Sequence, residues 1–131
     1  MESRVAIIAG AGRFPFHVAQ EAKRQGLTVV AMGIRGWVDP ALASQVDAYE
    51  EIGVGQLGRF VERLKSHHIR QAVMAGKVTK EVLLDQRTEF DDDARRILQG
   101  AREFSVPTLL GAIGQRLASD GIILLDSSTF L

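Results

Sequence analysis

Arg4-Val-Ala-Ile-Ile-Ala-Gly-Ala-Gly-Arg-Phe-Pro15 is the stretch that decides the fold. After Arg4 its first half is wholly apolar and β-branched in part, as a strand covered on both faces must be. It then breaks into Gly10-Ala11-Gly12 and meets Pro15, which suits a first helical turn because its missing amide hydrogen has no intrahelical partner there. A buried parallel strand that ends in glycines before a helix delivers backbone amides to an anion. The stretch therefore predicts a parallel α/β sheet and also the place where a ligand sits.

Working outward, nearly continuous apolar runs recur with helical stretches between them. Val5 to Ala9 is the first strand, followed by a helix from Pro15 to Gln25 that Gly26 closes as a left-handed cap. Leu27 to Met32 is the second strand, and Gly33-Ile34-Arg35-Gly36-Trp37 is a loop leading to a short helical turn begun by Asp39-Pro40. Ala48 to Ile52 is a weaker third strand. The helix from Gln56 to about His67 places Leu57, Phe60, Val61 and Leu64 at the spacing of one buried face. Gln71 to Ala75 is the fourth strand. Helical patterns then cover Thr79 to Leu84, Asp91 to Phe104 and Pro107 to Ser119, before a fifth strand at Ile122 to Leu125. Right-handed crossovers turn this alternation into a three-layer, Rossmann-like α/β fold with an open, mainly parallel sheet in strand order 3-2-1-4-5.

Composition narrows the function classes. The 131 residues form one domain, with 16 basic and 16 acidic residues spread along the chain. Their cancellation removes the electrostatic footprint of nucleic-acid binding, so no nucleic-acid partner is expected. Cysteine is absent, which excludes disulfides and thiolate metal sites and makes the reducing cytoplasm the default compartment. No apolar run approaches the ~18 to 20 residues that span a bilayer. Asp126-Ser-Ser-Thr-Phe-Leu131 stops directly after a strand with two large apolar residues, which reads as a domain cut from a longer protein.

In an open parallel sheet, ligands bind beyond the carboxyl ends of the strands, where the strand order reverses. Those loops are Gly10-Ala11-Gly12-Arg13, Gly33-Ile34-Arg35, Gly53-Val54-Gly55-Gln56, Gly76-Lys77 and Asp126-Ser127-Ser128-Thr129. Four of the five begin with glycine, which lets backbone approach a ligand, while Arg13, Arg35 and Lys77 add charge for phosphates. NAD is disfavoured: Pro15 stands where a third glycine belongs, and Met32-Gly33-Ile34-Arg35 lacks the acid that holds ribose hydroxyls. Arg35 could meet a 2′-phosphate, so an NADP-binding oxidoreductase is an alternative, and a non-catalytic interaction module is another. Asp91-Asp92-Asp93 reads as a solvated helix N-terminus rather than a metal cluster. His67 and His68, adjacent on a helix end, read as a solvated pair. His17, Ser127, Ser128 and Thr129 are each open to a role at an anion or to a packing or capping role. Trp37 is a loop anchor or a cover for an apolar ligand.

The ordered set of Ile7-Ile8-Ala9-Gly10-Ala11-Gly12 with Pro15, Val54-Gly55-Gln56-Leu57-Gly58, Met74-Ala75-Gly76-Lys77-Val78 and Asp126-Ser-Ser-Thr-Phe-Leu131 resembles LpxI, the UDP-2,3-diacylglucosamine pyrophosphatase family of lipid A biosynthesis. The resemblance spans the chain but only the N-terminal half of that family's two-domain proteins. It implies a Mg2+-dependent hydrolysis of UDP-2,3-diacylglucosamine to lipid X and UMP. In the family, the essential acid and the metal belong to the C-terminal domain, so this domain alone is expected to bind substrate without turning it over. The expected ligand-side residues are Gly10, Ala11, Gly12, Arg13, Arg35, Gly55, Gln56, Gly76 and Lys77, with no catalytic or metal residue. Expected partners are UDP-2,3-diacylglucosamine or lipid X and the C-terminal domain, with room for peripheral contact with the inner membrane and for homo-oligomers. Val106-Pro107-Thr108 stands where many relatives carry paired aspartates, so no role of those carboxylates carries over.

Overall fold

A computed structural model describes residues 3–53, 55–77, 89–100 and 106–130. Five strands, β1 (Arg4–Ala9), β2 (Thr28–Ile34), β3 (Ala48–Ile52), β4 (Gln71–Ala75) and β5 (Ile123–Leu125), form one sheet in the order β3-β2-β1-β4-β5. Every pairing is parallel. The expected α/β class and strand order are both present.

The sheet is built in rows. Ala48, Val30, Ala6, Ala72 and Leu124 lie side by side across all five strands, and the next row is Tyr49, Ala31, Ile7, Val73 and Leu125. Because successive side chains alternate faces, the first row faces one core and the second faces the other. The first core is closed by α2 (Leu57–Ser66), which contributes Leu57, Phe60, Val61 and Leu64, by Ala94 of α3 (Asp92–Gly100) and by Leu117 of α4 (Val106–Ala118). The second is closed by Val18, Ala19 and Ala22 of α1 (Phe14–Arg24), by Val38, by Leu42 of a 3-10 helix (Pro40–Gln45), and by Phe130. Ala6, Ala9, Ala72 and Ala75 keep the central strands slim. That lets helices on both faces approach closely.

The second strand runs Thr28–Ile34 rather than Leu27 to Met32. The Leu27 amide is spent on the Ala22 carbonyl at the end of α1, and the strand continues through Gly33 and Ile34 because β3 pairs with both. The expected helix at Thr79 to Leu84 lies outside the described residues, as do residues 101–104 of the expected helix from Asp91 to Phe104. Phe130 is only 3% exposed. Phe130 is therefore packed into the second core. It is carried there by a terminal 3-10 turn, Ser127–Phe130, in which the Asp126 carboxylate accepts from the Ser128 amide at 2.8 Å and hydroxyl at 2.7 Å.

Helices α1, α2 and α4 stop in the same way, with paired bonds from the left-handed residue and the one after it back into the last turn. Glycine occupies the left-handed position after α1 (Gly26) and α4 (Gly121), but His68, at φ 58°, occupies it after α2. A non-glycine residue there costs about 1 to 2 kcal/mol. His68→Gly is expected to raise stability by about 1 kcal/mol in urea unfolding, after the added freedom of glycine in the unfolded chain is offset; His68→Ala should give no such gain.

Candidate functional site

The strand order reverses between β1 and β4, since the chain runs outward from β1 through β2 to β3 and then returns to start β4 on β1's other side. The loops leaving these two strands meet. Gly10 donates its amide to the Ala75 carbonyl at 2.8 Å, extending the parallel ladder by one bond. Ala11 and Lys77 then exchange both backbone bonds, at 3.0 and 2.9 Å, as an antiparallel bridge. Four of the expected ligand-side residues, Gly10, Ala11, Gly76 and Lys77, are thus joined in one place.

The bridge changes which groups can serve a ligand. The amides of Gly10, Ala11 and Lys77 are bonded to protein, whereas those of Gly12, Arg13 and Phe14, at the start of α1, have no partner among the described residues. Arg13 lies with its guanidinium carbon 5.0 Å from the centre of the Phe16 ring. His17 stacks on Phe14 with centroids 6.1 Å apart. Arg35 is exposed on the turn after β2, its amide bonded to the Ile52 carbonyl at 2.9 Å. Gly33, before it, leaves room for the Val38 side chain.

The turn after β3 is shaped by its own neighbours. Gln56 folds its side-chain oxygen back onto the Gly53 amide at 2.9 Å. Gly55 packs against the backbone of Glu89 and Phe90, and its carbonyl accepts from the Asp91 amide at 2.9 Å. At ~4.8 Å per strand, β3 and β4 lie roughly 14 Å apart along the edge. Gly55 and Gln56 are therefore a separate station from the Ala11–Lys77 bridge.

Two clusters went unseen in the sequence. Asp91 uses one carboxylate oxygen to accept from the Ala94 amide at 2.9 Å, capping α3, and the other to accept from the Gly58 amide at 2.8 Å, capping α2. The start of α3 was legible, but Gly58 lies 33 residues away from Asp91. On the other side of α2, Glu50 accepts three bonds from Arg63 and sits 2.5 Å from His67 Nε2. His67 is therefore half-buried against a carboxylate rather than solvated as expected. The Arg63 guanidinium, with His67 beside it, holds the Glu50 carboxyl below its ordinary range. Likewise the Ser128 hydroxyl and amide lower the Asp126 carboxyl.

The described carboxylates do not fit a magnesium site. Among the described residues no group of three or more histidines and acids is placed to hold a metal ion. Asp91 is spent on two caps, Asp93 faces Arg116 at 3.4 Å, and Asp126 holds its own turn. The open groove between α2 and α4 is similarly self-satisfied, since Asp120 pairs with both Lys65 and Arg116. No helix among the described residues is long and apolar enough to cross a membrane.

A curated relative, the UDP-2,3-diacylglucosamine pyrophosphatase LpxI of Caulobacter vibrioides, is 26% identical over 77 residues, covering 59% of this chain. The matched stretch spans only 27% of that relative's length. A model of the LpxI N-terminal domain matches residues 4–131, which takes in the whole sheet, both cores and the loops at the strand-order reversal. By that match, the chain belongs to the LpxI N-terminal domain family.

Proposed function

We propose that this domain is the substrate-binding wall of a UDP-2,3-diacylglucosamine pyrophosphatase, a hydrolase of lipid A biosynthesis acting in the cytoplasm. In this reading the diphosphate lies over the loops after β1 and β4, and the sugar or nucleotide extends toward Arg35. The domain binds and orients, which lowers the entropic cost of reaction. Water activation and magnesium binding fall to a partner domain in this reading, which is supported by the lack, among the described residues, of three or more acids and histidines placed to hold a metal ion. Alone, the domain is therefore expected not to hydrolyse the substrate.

The observation that carries this reading is unmatched positive charge. Lys23, Arg24, Arg63, Lys65, Arg95, Arg96 and Arg116 each face a carboxylate. Arg13, Arg35 and Lys77, on the loops that leave β1, β2 and β4, face none among the described residues; Arg59, in the first turn of α2, and Arg70, at the opposite end of the sheet before β4, likewise face none. Two unpaired cations, Arg13 and Lys77, and three free amides at the reversal point of an open sheet, with Arg35 one strand away, suit a ligand with two phosphates.

Calorimetric titration of the domain with UDP-2,3-diacylglucosamine in detergent micelles tests the reading. Lys77→Ala is expected to weaken binding about ten-fold or more, since a hydrogen bond to a charged group contributes roughly 1.5 to 3 kcal/mol. Amide resonances of Gly12, Arg13 and Gly76 should shift. An unchanged Kd, or shifts confined to β5 and the terminal 3-10 turn, would sink it.

A further inference from the structure

We infer that Gly76 is a positioning residue: it lets the chain reverse against the β1 loop so that the Ala11–Lys77 bridge holds the Lys77 side chain at the ligand. This rests on the functional reading above and specifies how the site is assembled.

From Ala6 and Ala72 to Ala9 and Ala75, β1 and β4 pair in parallel. One residue beyond the last parallel bond the hand of pairing changes, because Ala11 and Lys77 exchange bonds as an antiparallel pair. A chain changes direction against its neighbour only by turning, and the turn is at Gly76, with φ 96°. Two independent constraints fall on that residue. The left-handed backbone disfavours any side chain. A Cβ there would also lie 2.7 Å from the Gly10 carbonyl carbon, 2.9 Å from its oxygen and 2.8 Å from the Ala11 oxygen. All three are backbone atoms of the glycine loop, so no rotamer change relieves the clash.

The bridge spends the amide and carbonyl of both Ala11 and Lys77 on each other. Neither peptide is then a donor for the ligand, and what Lys77 offers is its ammonium group. The Lys77 backbone is tethered to Ala11, from which the chain continues directly into the free amides of Gly12 to Phe14. A lysine on an unbridged loop would have to order its backbone on binding, at an entropic cost. The bridge fixes it beforehand.

The test compares Gly76→Ala, Lys77→Ala and the double variant. It measures affinity for UDP-2,3-diacylglucosamine in micelles together with hydrogen exchange of the Ala11 and Lys77 amides. Lys77→Ala should leave both amides protected, because the bridge is made of backbone, and should lose affinity. Gly76→Ala should expose both amides and lose about as much affinity, roughly ten-fold, and the double variant should be no weaker than either alone. Lys77→Arg should restore part of the binding in the wild-type background and none in Gly76→Ala. Should Gly76→Ala not fold, Ala11→Pro, which removes the Ala11 donor and also fixes the backbone there, should expose the remaining Lys77 amide and lose the same affinity. Wild-type affinity in a variant with exposed amides overturns this inference alone, as do losses that add in the double variant. Absence of binding by the wild-type domain overturns the functional reading and this inference with it.

Discussion

Gly55→Ala is expected to destabilise the domain by about 3 kcal/mol or more, although it adds one methyl group at an unremarkable backbone angle. The reason is what stands beside it. A Cβ at Gly55 would lie 2.0 Å from the Glu89 carbonyl oxygen, 2.8 Å from its carbon and 3.1 Å from the Phe90 Cα. Overpacking by a methyl against movable side chains costs about 1 to 3 kcal/mol, but here the obstacle is backbone that is held in place. The Asp91 amide is bonded to the Gly55 carbonyl, and the Asp91 carboxylate is bonded to Gly58. Moving Glu89 aside therefore costs these bonds as well. Gly53→Ala is the control: its Cβ would meet only the Gln56 side chain, at 3.1 Å from the oxygen and 3.4 and 3.5 Å from Cδ and Cγ, and that side chain can turn aside at the cost of its bond to the Gly53 amide, so a loss of about 1 kcal/mol is expected. Urea unfolding followed by circular dichroism compares the two. A Gly55→Ala domain as stable as the Gly53→Ala domain would mean that the segment from Glu89 to Asp91 yields, and the packing argument would be lost.

The fold was legible because its signals are local and repeated. Continuous apolar runs separated by helical spacing admit few architectures, and the crossover rule then orders the strands. Boundaries failed where a residue's partner was remote. Leu27 looks like strand and is part of a helix stop, and Gly33 looks like loop and is strand because β3 extends beside it.

The glycines divide the same way. That the loops after the strands would be glycine-rich and close to a ligand follows from position in the sheet. Why each glycine is there does not. Gly76 answers to a positive φ and to the neighbouring Gly10–Ala11 backbone, Gly33 to the Val38 side chain, and Gly55 to Glu89. These neighbours lie far along the sequence or across the sheet, and a single sequence carries no trace of which backbone will press against which. The same holds for charge. Cations were visible at Arg13, Arg35 and Lys77, but that they lack carboxylate partners among the described residues, while most others are paired, is a property of three-dimensional neighbours alone.

Asp91→Ala is expected to cost about 2 to 4 kcal/mol, well above the loss at an ordinary helix cap. Each cap contributes about 1 kcal/mol, and Asp91 supplies two, to Ala94 in α3 and to Gly58 in α2. Its negative charge also sits at two helix N-termini, each adding about 0.3 to 1 kcal/mol. No substitute is present for α2, because Gln56 at its N-cap makes no side-chain cap bond there and bonds Gly53 instead. Asp91→Asn separates the contributions. An amide keeps one accepting oxygen, so one cap survives, while the other helix end meets an NH2 group and the charge is gone. The expected order of stability is wild type, then Asn, then Ala, with hydrogen exchange at Gly58 and Ala94 accelerating together in Ala and at only one of them in Asn. Equal stability of wild type and Asn would show that a single cap suffices and that the two helices are not tied through this carboxylate. The expected order would mean that the turn after β3 is set by a residue two helices later in the chain.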